Sequence, residues 1–218
     1  MQEAHHFKRV ISKPVEMQYL LHVPPGTGKH PLMLFLHGRG ESGDDLELVK
    51  KYGIPKIISE TPEFPFITFS PQVPVGMNWV LLADTLEALL DEALSRPDVD
   101  TSRVYLTGLS MGGYGTWHLA AQRPEVFAAI APICGAGSRI NALPERICRL
   151  KHTPVWAFHG EDDDVVLLEE QQVLIDALRE CSEAEVRFTV YPGVGHNSWT
   201  RTYANPDLYD WFLSYRKL

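Results

Sequence analysis

The sequence lacks any apolar stretch of about 18 residues, the length a membrane-spanning helix needs, so nothing in it is expected to cross a bilayer. Cations are the minority: 20 Lys and Arg stand against 28 Asp and Glu, leaving a formal charge of −8, and the longest basic run is Lys50-Lys51. That excludes the clustered positive surface on which nucleic acids or anionic membranes are held. Cysteine is scarce: Cys134, Cys148 and Cys181 are an odd number without metal-type spacing, and reduced thiols are the simplest expectation. Repeats, low-complexity tracts and linkers are absent. The first ten residues carry Glu3, His5, His6, Lys8 and Arg9 where a signal peptide would need an apolar core. These absences together predict a single soluble, cytoplasmic domain over residues 1–218, with no metal or cofactor, and leave monomer or homodimer open.

What is present is an ordinary globular balance, 44% hydrophobic and 22% charged. A chain of this length can bury roughly 70% of its unfolded surface. Residues 32–36 form a continuous apolar run, which suits a parallel strand covered on both faces, and 66–70, 104–107, 128–133, 155–158 and 186–191 read the same way. Helical periodicity marks 79–95, with Leu82, Leu86, Leu89, Leu90 and Leu94 on one face, and also 111–122, 167–181 and 206–215. Strands alternating with helices predict an α/β sandwich around a mostly parallel sheet. Residues 7–11 and 17–23, joined by Ser12-Lys13-Pro14, are expected to form an antiparallel N-terminal edge.

One pattern carries chemistry. Gly108-Leu109-Ser110-Met111-Gly112 lies between an apolar strand and a helix rich in alanine. A nucleophile elbow needs that context, because a sharp strand-to-helix turn holds the serine in a strained conformation at a helix N-terminus. A serine hydroxyl needs a base, and the base an orienting carboxylate, in the chain order Ser, Asp or Glu, His. Of nine histidines, His196 in Gly193-Val194-Gly195-His196 follows the last strand, at the sheet end where catalytic groups belong. His37 and His159, each beside a glycine at a strand end, read as structural. Four consecutive acids, Glu161 to Asp164, follow the strand at 155–158, and the residues alone do not separate them. Their spacing lacks the alternation and terminal glutamate of a calcium loop. An oxyanion hole requires two N–H donors: Met111, directly after the nucleophile, and Arg39 in His37-Gly38-Arg39-Gly40-Glu41. The Arg39 guanidinium is a candidate either to bind a substrate carboxylate or to pair with Glu41.

These segments together resemble the capless esterases of the α/β-hydrolase superfamily, above all the phospholipase/carboxylesterase and dienelactone-hydrolase-like groups, including proteins called predicted peptidases or polyhydroxybutyrate-depolymerase-like. The resemblance covers residues 17–212 and implies an α/β-hydrolase fold with helices on both faces and no cap. In these families the acid is the third residue after His-Gly and shortly precedes a Val-Val pair, which selects Asp163. Asp164 stands where proline is frequent, a small departure. Serine in place of the dienelactone cysteine favours ester hydrolysis.

The run Pro25-Gly26-Thr27-Gly28-Lys29 imitates the end of a phosphate-binding loop, but Val23 and His30 occupy positions where that pattern demands glycine and Ser or Thr. Trp79 and Trp199, with Glu41, are expected to contact substrate, and Tyr203 is a weaker candidate. Only about 20 residues separate Ile133 from Val155, too few for a cap. The expected function is a serine carboxylesterase acting on small soluble esters through an acyl-enzyme. Thioesterase, feruloyl or acetyl-xylan esterase, lysophospholipase and peptidase activities are the rivals, and a catalytically silent receptor of the same fold is the alternative class.

Overall fold

A segment as apolar as Leu32-Met33-Leu34-Phe35-Leu36 is stable as a strand only where neighbours remove both of its faces from water. In the computed structural model, which describes residues 12–136 and 143–217, it lies within one seven-stranded sheet. The strands are β1 (Tyr19–His22), β2 (His30–Leu36), β3 (Ile67–Pro71), β4 (Val99–Leu109), β5 (Ala129–Ile133), β6 (Val155–Gly160) and β7 (Val186–Tyr191). Their spatial order is β1-β3-β2-β4-β5-β6-β7, with β1 antiparallel to β3 and every other pairing parallel. The helices are α1 (Gly53–Glu60), α2 (Ala83–Ser95), α3 (Met111–Gln122), α4 (Leu143–Arg146), α5 (Leu168–Cys181), α6 (Trp199–Tyr203) and α7 (Pro206–Leu213).

Strand periodicity divides the core in two. Leu32, Leu34 and Leu36 join α2, α3 and α5 through Leu86, Leu90, Trp117 and Leu174. Met33 and Phe35 point the other way, to α1, α6 and α7, through Ile54, Tyr203, Leu208 and Phe212. Helices therefore cover both faces, as the α/β-hydrolase expectation requires.

Several sequence expectations shift. The strand expected at 7–11 lies outside the described residues, and residues 12–14 belong to no element, so the antiparallel edge is β1 paired with the distant β3. The helix expected from residue 79 begins at Ala83, because the Asn78 side chain accepts the Val80 and Leu81 N–H groups, both at 3.0 Å, and holds a turn there. The reduced-thiol expectation is corrected: Cys148 and Cys181 form a disulfide across a Cα separation of 5.8 Å, and Cys134 stays free and buried. The last turn of α5 packs on the 3-10 segment Ile147–Leu150, a contact that a separation of 33 residues conceals in the sequence. Among the described residues, no helix is long and apolar enough to cross a membrane.

Candidate active site

β4 ends at Leu109 and α3 begins at Met111, which leaves a single residue for the turn. Ser110 takes it with φ 51° and ψ −116°, a backbone conformation that non-glycine residues adopt at a cost and that clusters at functional sites. Its N–H donates to Ile133 O at 2.9 Å, tying the turn to β5. At Gly112 a Cβ would run into the Leu36 carbonyl, so the first turn of α3 rests directly on β2.

Two loops at the same end of the sheet bring the partners. The loop after β6 and the loop after β7 meet backbone to backbone: Asp162 N–H donates to Val194 O at 2.9 Å and Glu161 N–H to Tyr191 O at 3.0 Å. A side chain at Gly160 would collide with the Val194 and Gly195 carbonyls. Of the four consecutive acids only Asp163 is buried; the others are exposed, and Glu161 accepts the Gly193 N–H at 3.1 Å. His196 Nε2 is 2.9 Å from Ser110 Oγ, and its Nδ1 is 2.8 Å from Asp163 Oδ2. A carboxylate can only accept, so Nδ1 carries the proton and Nε2 is free to accept the serine hydrogen.

Asp163 is unusually well supplied with donors. Oδ1 accepts the N–H groups of Val165 and Val166 at 3.0 and 2.9 Å, and Oδ2 also lies 3.2 Å from His159 Nε2. Burial alone would push this carboxyl up, but the bonds from His159, His196 and the two backbone groups outweigh it and hold it well below the usual carboxylate range. His159 is fully buried, with Nδ1 2.7 Å from the Gln171 side chain and Nε2 2.8 Å from Val166 O. Burial opposes its charge, yet the bonds to Asp163, Val166 and Gln171 raise it above its ordinary value.

The loop after β2 forms a 3-10 turn over Arg39–Glu41 and is anchored at several points. His37 donates from Nδ1 to Gly38 O and accepts the Val73 N–H at Nε2, 3.0 Å away; burial pushes it down to about 4, so it is neutral near pH 7. The Trp79 indole donates to His37 O at 2.9 Å, and the Gln72 amide donates to Glu41 O and Asp45 O.

A cavity of about 700 Å³ opens beside Ser110, within the range of small-molecule sites. Arg39, Met111 and Trp79 line it together with Ser110. Glu41 does not line it; this carboxylate is buried and accepts the Gly38 N–H at 2.9 Å, which fixes the turn. Nor does Trp199, whose ring meets His196 edge-on at 5.3 Å and Tyr52 at 5.8 Å. Tyr203 is buried in the core beneath the opposite face, its hydroxyl 3.0 Å from Thr107 Oγ1, so its role is packing. Sequence reasoning missed His118, Tyr114 and Arg146 in the cavity wall, although positions 110, 114 and 118 share one helical face. Cys134 also escaped it: its sulfur clusters with Asp163 and His196 donor atoms within 4.8 Å, but burial pushes the thiol up to about 12, which disfavours the thiolate a metal ion would need.

Comparisons with known proteins bear on the family and the fold. A family model described as phospholipase/carboxylesterase matches residues 64–205. The carboxylesterase SOBER1 of Arabidopsis thaliana is 31% identical over 143 residues, covering 63% of this chain and 59% of the relative. The bifunctional acetylxylan esterase/xylanase XynS20E of Neocallimastix patriciarum is 27% identical over 190 residues, 83% of this chain and 26% of the relative. The chain thus spans less than two thirds of the length of either. A crystal structure of a thermostable esterase superposes with a TM-score of 0.82 at 33% identity, covering 93% of this chain and 60% of the other. Est1E from Butyrivibrio proteoclasticus, at 15% identity and a TM-score of 0.66 over 92% of this chain and 91% of its own, shares the fold. With well over half of its residues inside the family match, the chain belongs to the phospholipase/carboxylesterase family of α/β-hydrolases, whose members are carboxylic ester hydrolases.

Proposed function

We propose that this chain hydrolyses small soluble carboxylic esters through an acyl-enzyme, with Ser110 as nucleophile, His196 as base and then acid, and Asp163 as the group that orients the imidazole. The observation that carries this reading is the continuous chain of contacts Ser110 Oγ, His196 Nε2, His196 Nδ1, Asp163 Oδ2, at 2.9 and 2.8 Å across the two side-chain pairs. His196 Nε2 accepts the serine proton as Oγ bonds to the ester carbon. The same proton then goes to the leaving alkoxide, whose C–O bond breaks. Water enters and gives its proton to His196 as its oxygen bonds to the acyl carbon; the bond from that carbon to Ser110 Oγ then breaks, Oγ takes the proton back from His196, and the acid leaves. In both halves the Asp163 carboxylate stays ionised and stabilises the transient imidazolium, a role that suits its lowered pKa.

The negative charge that develops on the carbonyl oxygen needs donors already in position. We assign these to the backbone N–H of Met111, the first residue of α3, and of Arg39, the first of the 3-10 turn. Trp79 lines the same cavity and supports the Arg39 loop through His37, and Trp199 packs on the catalytic imidazole instead of meeting substrate in the cavity. A silent receptor needs no such alignment, and strained backbone of the kind seen at Ser110 clusters at active sites. All strands among the described residues belong to one sheet, which supports a single catalytic domain. The cytoplasmic location expected from the sequence fits poorly with the Cys148–Cys181 bridge, because such bonds are rare in reducing compartments.

Turnover of p-nitrophenyl acetate and butyrate by the pure protein tests the reading. Ser110→Ala should reduce it to the solvent rate, and turnover retained by that variant would exclude the mechanism.

A further inference from the structure

The charge of the cavity runs against the charge of the chain. With 28 Asp and Glu against 20 Lys and Arg, an average surface patch is acidic. Among the described residues, the walls beside Ser110 instead include two arginines, Arg39 and Arg146, and no Asp or Glu. The two arginines stand at different depths. Arg39 belongs to the turn whose preceding residue, Gly38, abuts Leu109 beside the nucleophile. Arg146 closes α4 and shares the cavity with His118.

α3 measures the distance between these ends. Ser110, Tyr114 and His118 recur every fourth position and all line the cavity. At about 1.5 Å of rise per residue, the eight steps from Ser110 to His118 span roughly 12 Å. Burial first, and then the nearby positive charge of Arg146, lower His118 below its ordinary value. His118 is therefore a neutral hydrogen-bonding partner near pH 7, and Arg146 supplies the charge there. The remaining wall includes apolar Leu81, Val165 and Val166, of which Leu81 and Val165 are 64% and 67% exposed, an apolar margin to a cationic end.

On the esterase reading, we infer that the preferred substrate carries a carboxylate some two helical turns from its scissile carbonyl, held by Arg146 with His118, while its apolar middle lies along Trp79, Leu81 and Val165. A planar carboxylate matches the fork of a guanidinium in a charge-assisted pair. Esters of this class include half-esters of dicarboxylic acids and acyl esters of aromatic hydroxy acids; they differ in which side of the ester bears the charge.

Matched pairs separate these cases: p-nitrophenyl decanoate against mono-p-nitrophenyl sebacate for the acyl side, and 3-(4-acetoxyphenyl)propanamide against the corresponding propanoate for the alcohol side. The quantity read is kcat/KM for the anionic ester divided by that for its neutral partner, at low salt. In the native protein this ratio should exceed one for one of the pairs. Arg146→Glu should lower it by about tenfold to a hundredfold, chiefly through KM, and Arg146→Lys should retain most of it. The neutral ester reports on folding and on the catalytic centre in every variant. A native ratio at or below one for both pairs, or a ratio that Arg146→Glu leaves unchanged, would overturn the inference while leaving the esterase reading intact. Failure of all four esters in the native protein would overturn both.

Discussion

His159 donates from Nε2 toward the same Asp163 oxygen that faces His196, 3.2 Å away, from a position with no solvent exposure. The Asp163 carboxylate is thereby fixed from two sides, and His159 does not line the cavity beside Ser110. Removing one hydrogen bond to a charged group is worth about 10- to 100-fold in rate if it acts only in the transition state. His159→Asn should therefore lower kcat by that factor with little change in KM. His159→Gln, which keeps an N–H donor on a longer side chain, should lose less. A folded His159→Asn protein with kcat within twofold of the native value would contradict this positioning role.

Two buried histidines make stability depend on pH in opposite directions. His37 falls from 6.5 to about 4 by burial, so between those values the unfolded chain binds a proton that the folded chain refuses. Stability accordingly drops as pH falls through that window, by about 3 kcal/mol from this group. His159 is raised, so above its unfolded value the folded chain keeps a proton that the unfolded chain releases, and that contribution is lost as pH rises through the raised value. These two groups place a stability maximum near pH 6.5. Urea midpoints at pH 4.5, 6.5 and 8.5 read it, and His37→Gln should flatten the acid limb. An acid limb equally steep in that variant would assign the loss to other groups.

The bridge between Cys148 and Cys181 leaves Cys134 as the single free thiol. Protein denatured without reductant should react with one equivalent of thiol reagent, and with three after reduction. Three equivalents before reduction would mean that the bridge does not form in solution.

Much of the sheet was legible because its strands are covered on both faces and read as unbroken apolar runs; β7 and α3 have the bounds that periodicity suggested. The short elements were not. α6 has five residues, and α1 opens on Gly53 at φ 66°, a conformation that no hydrophobic pattern announces. In the site, Ser110 and His196 could be singled out from glycine placement and chain order, whereas choosing among four consecutive acids required a family resemblance. Burial explains why: only Asp163 turns inward, and that turn depends on backbone donors at Val165 and Val166. The positive end of the cavity was illegible because Arg146 and His118 are 28 positions apart and meet only after α4 folds over α3.

The proposed activation of Ser110 by His196 is read chemically by mapping the peptide that a fluorophosphonate probe labels. A single adduct on Ser110 is expected, formed rapidly in the native protein and nearly lost in His196→Ala; an absent adduct, or one on another serine, would contradict that activation.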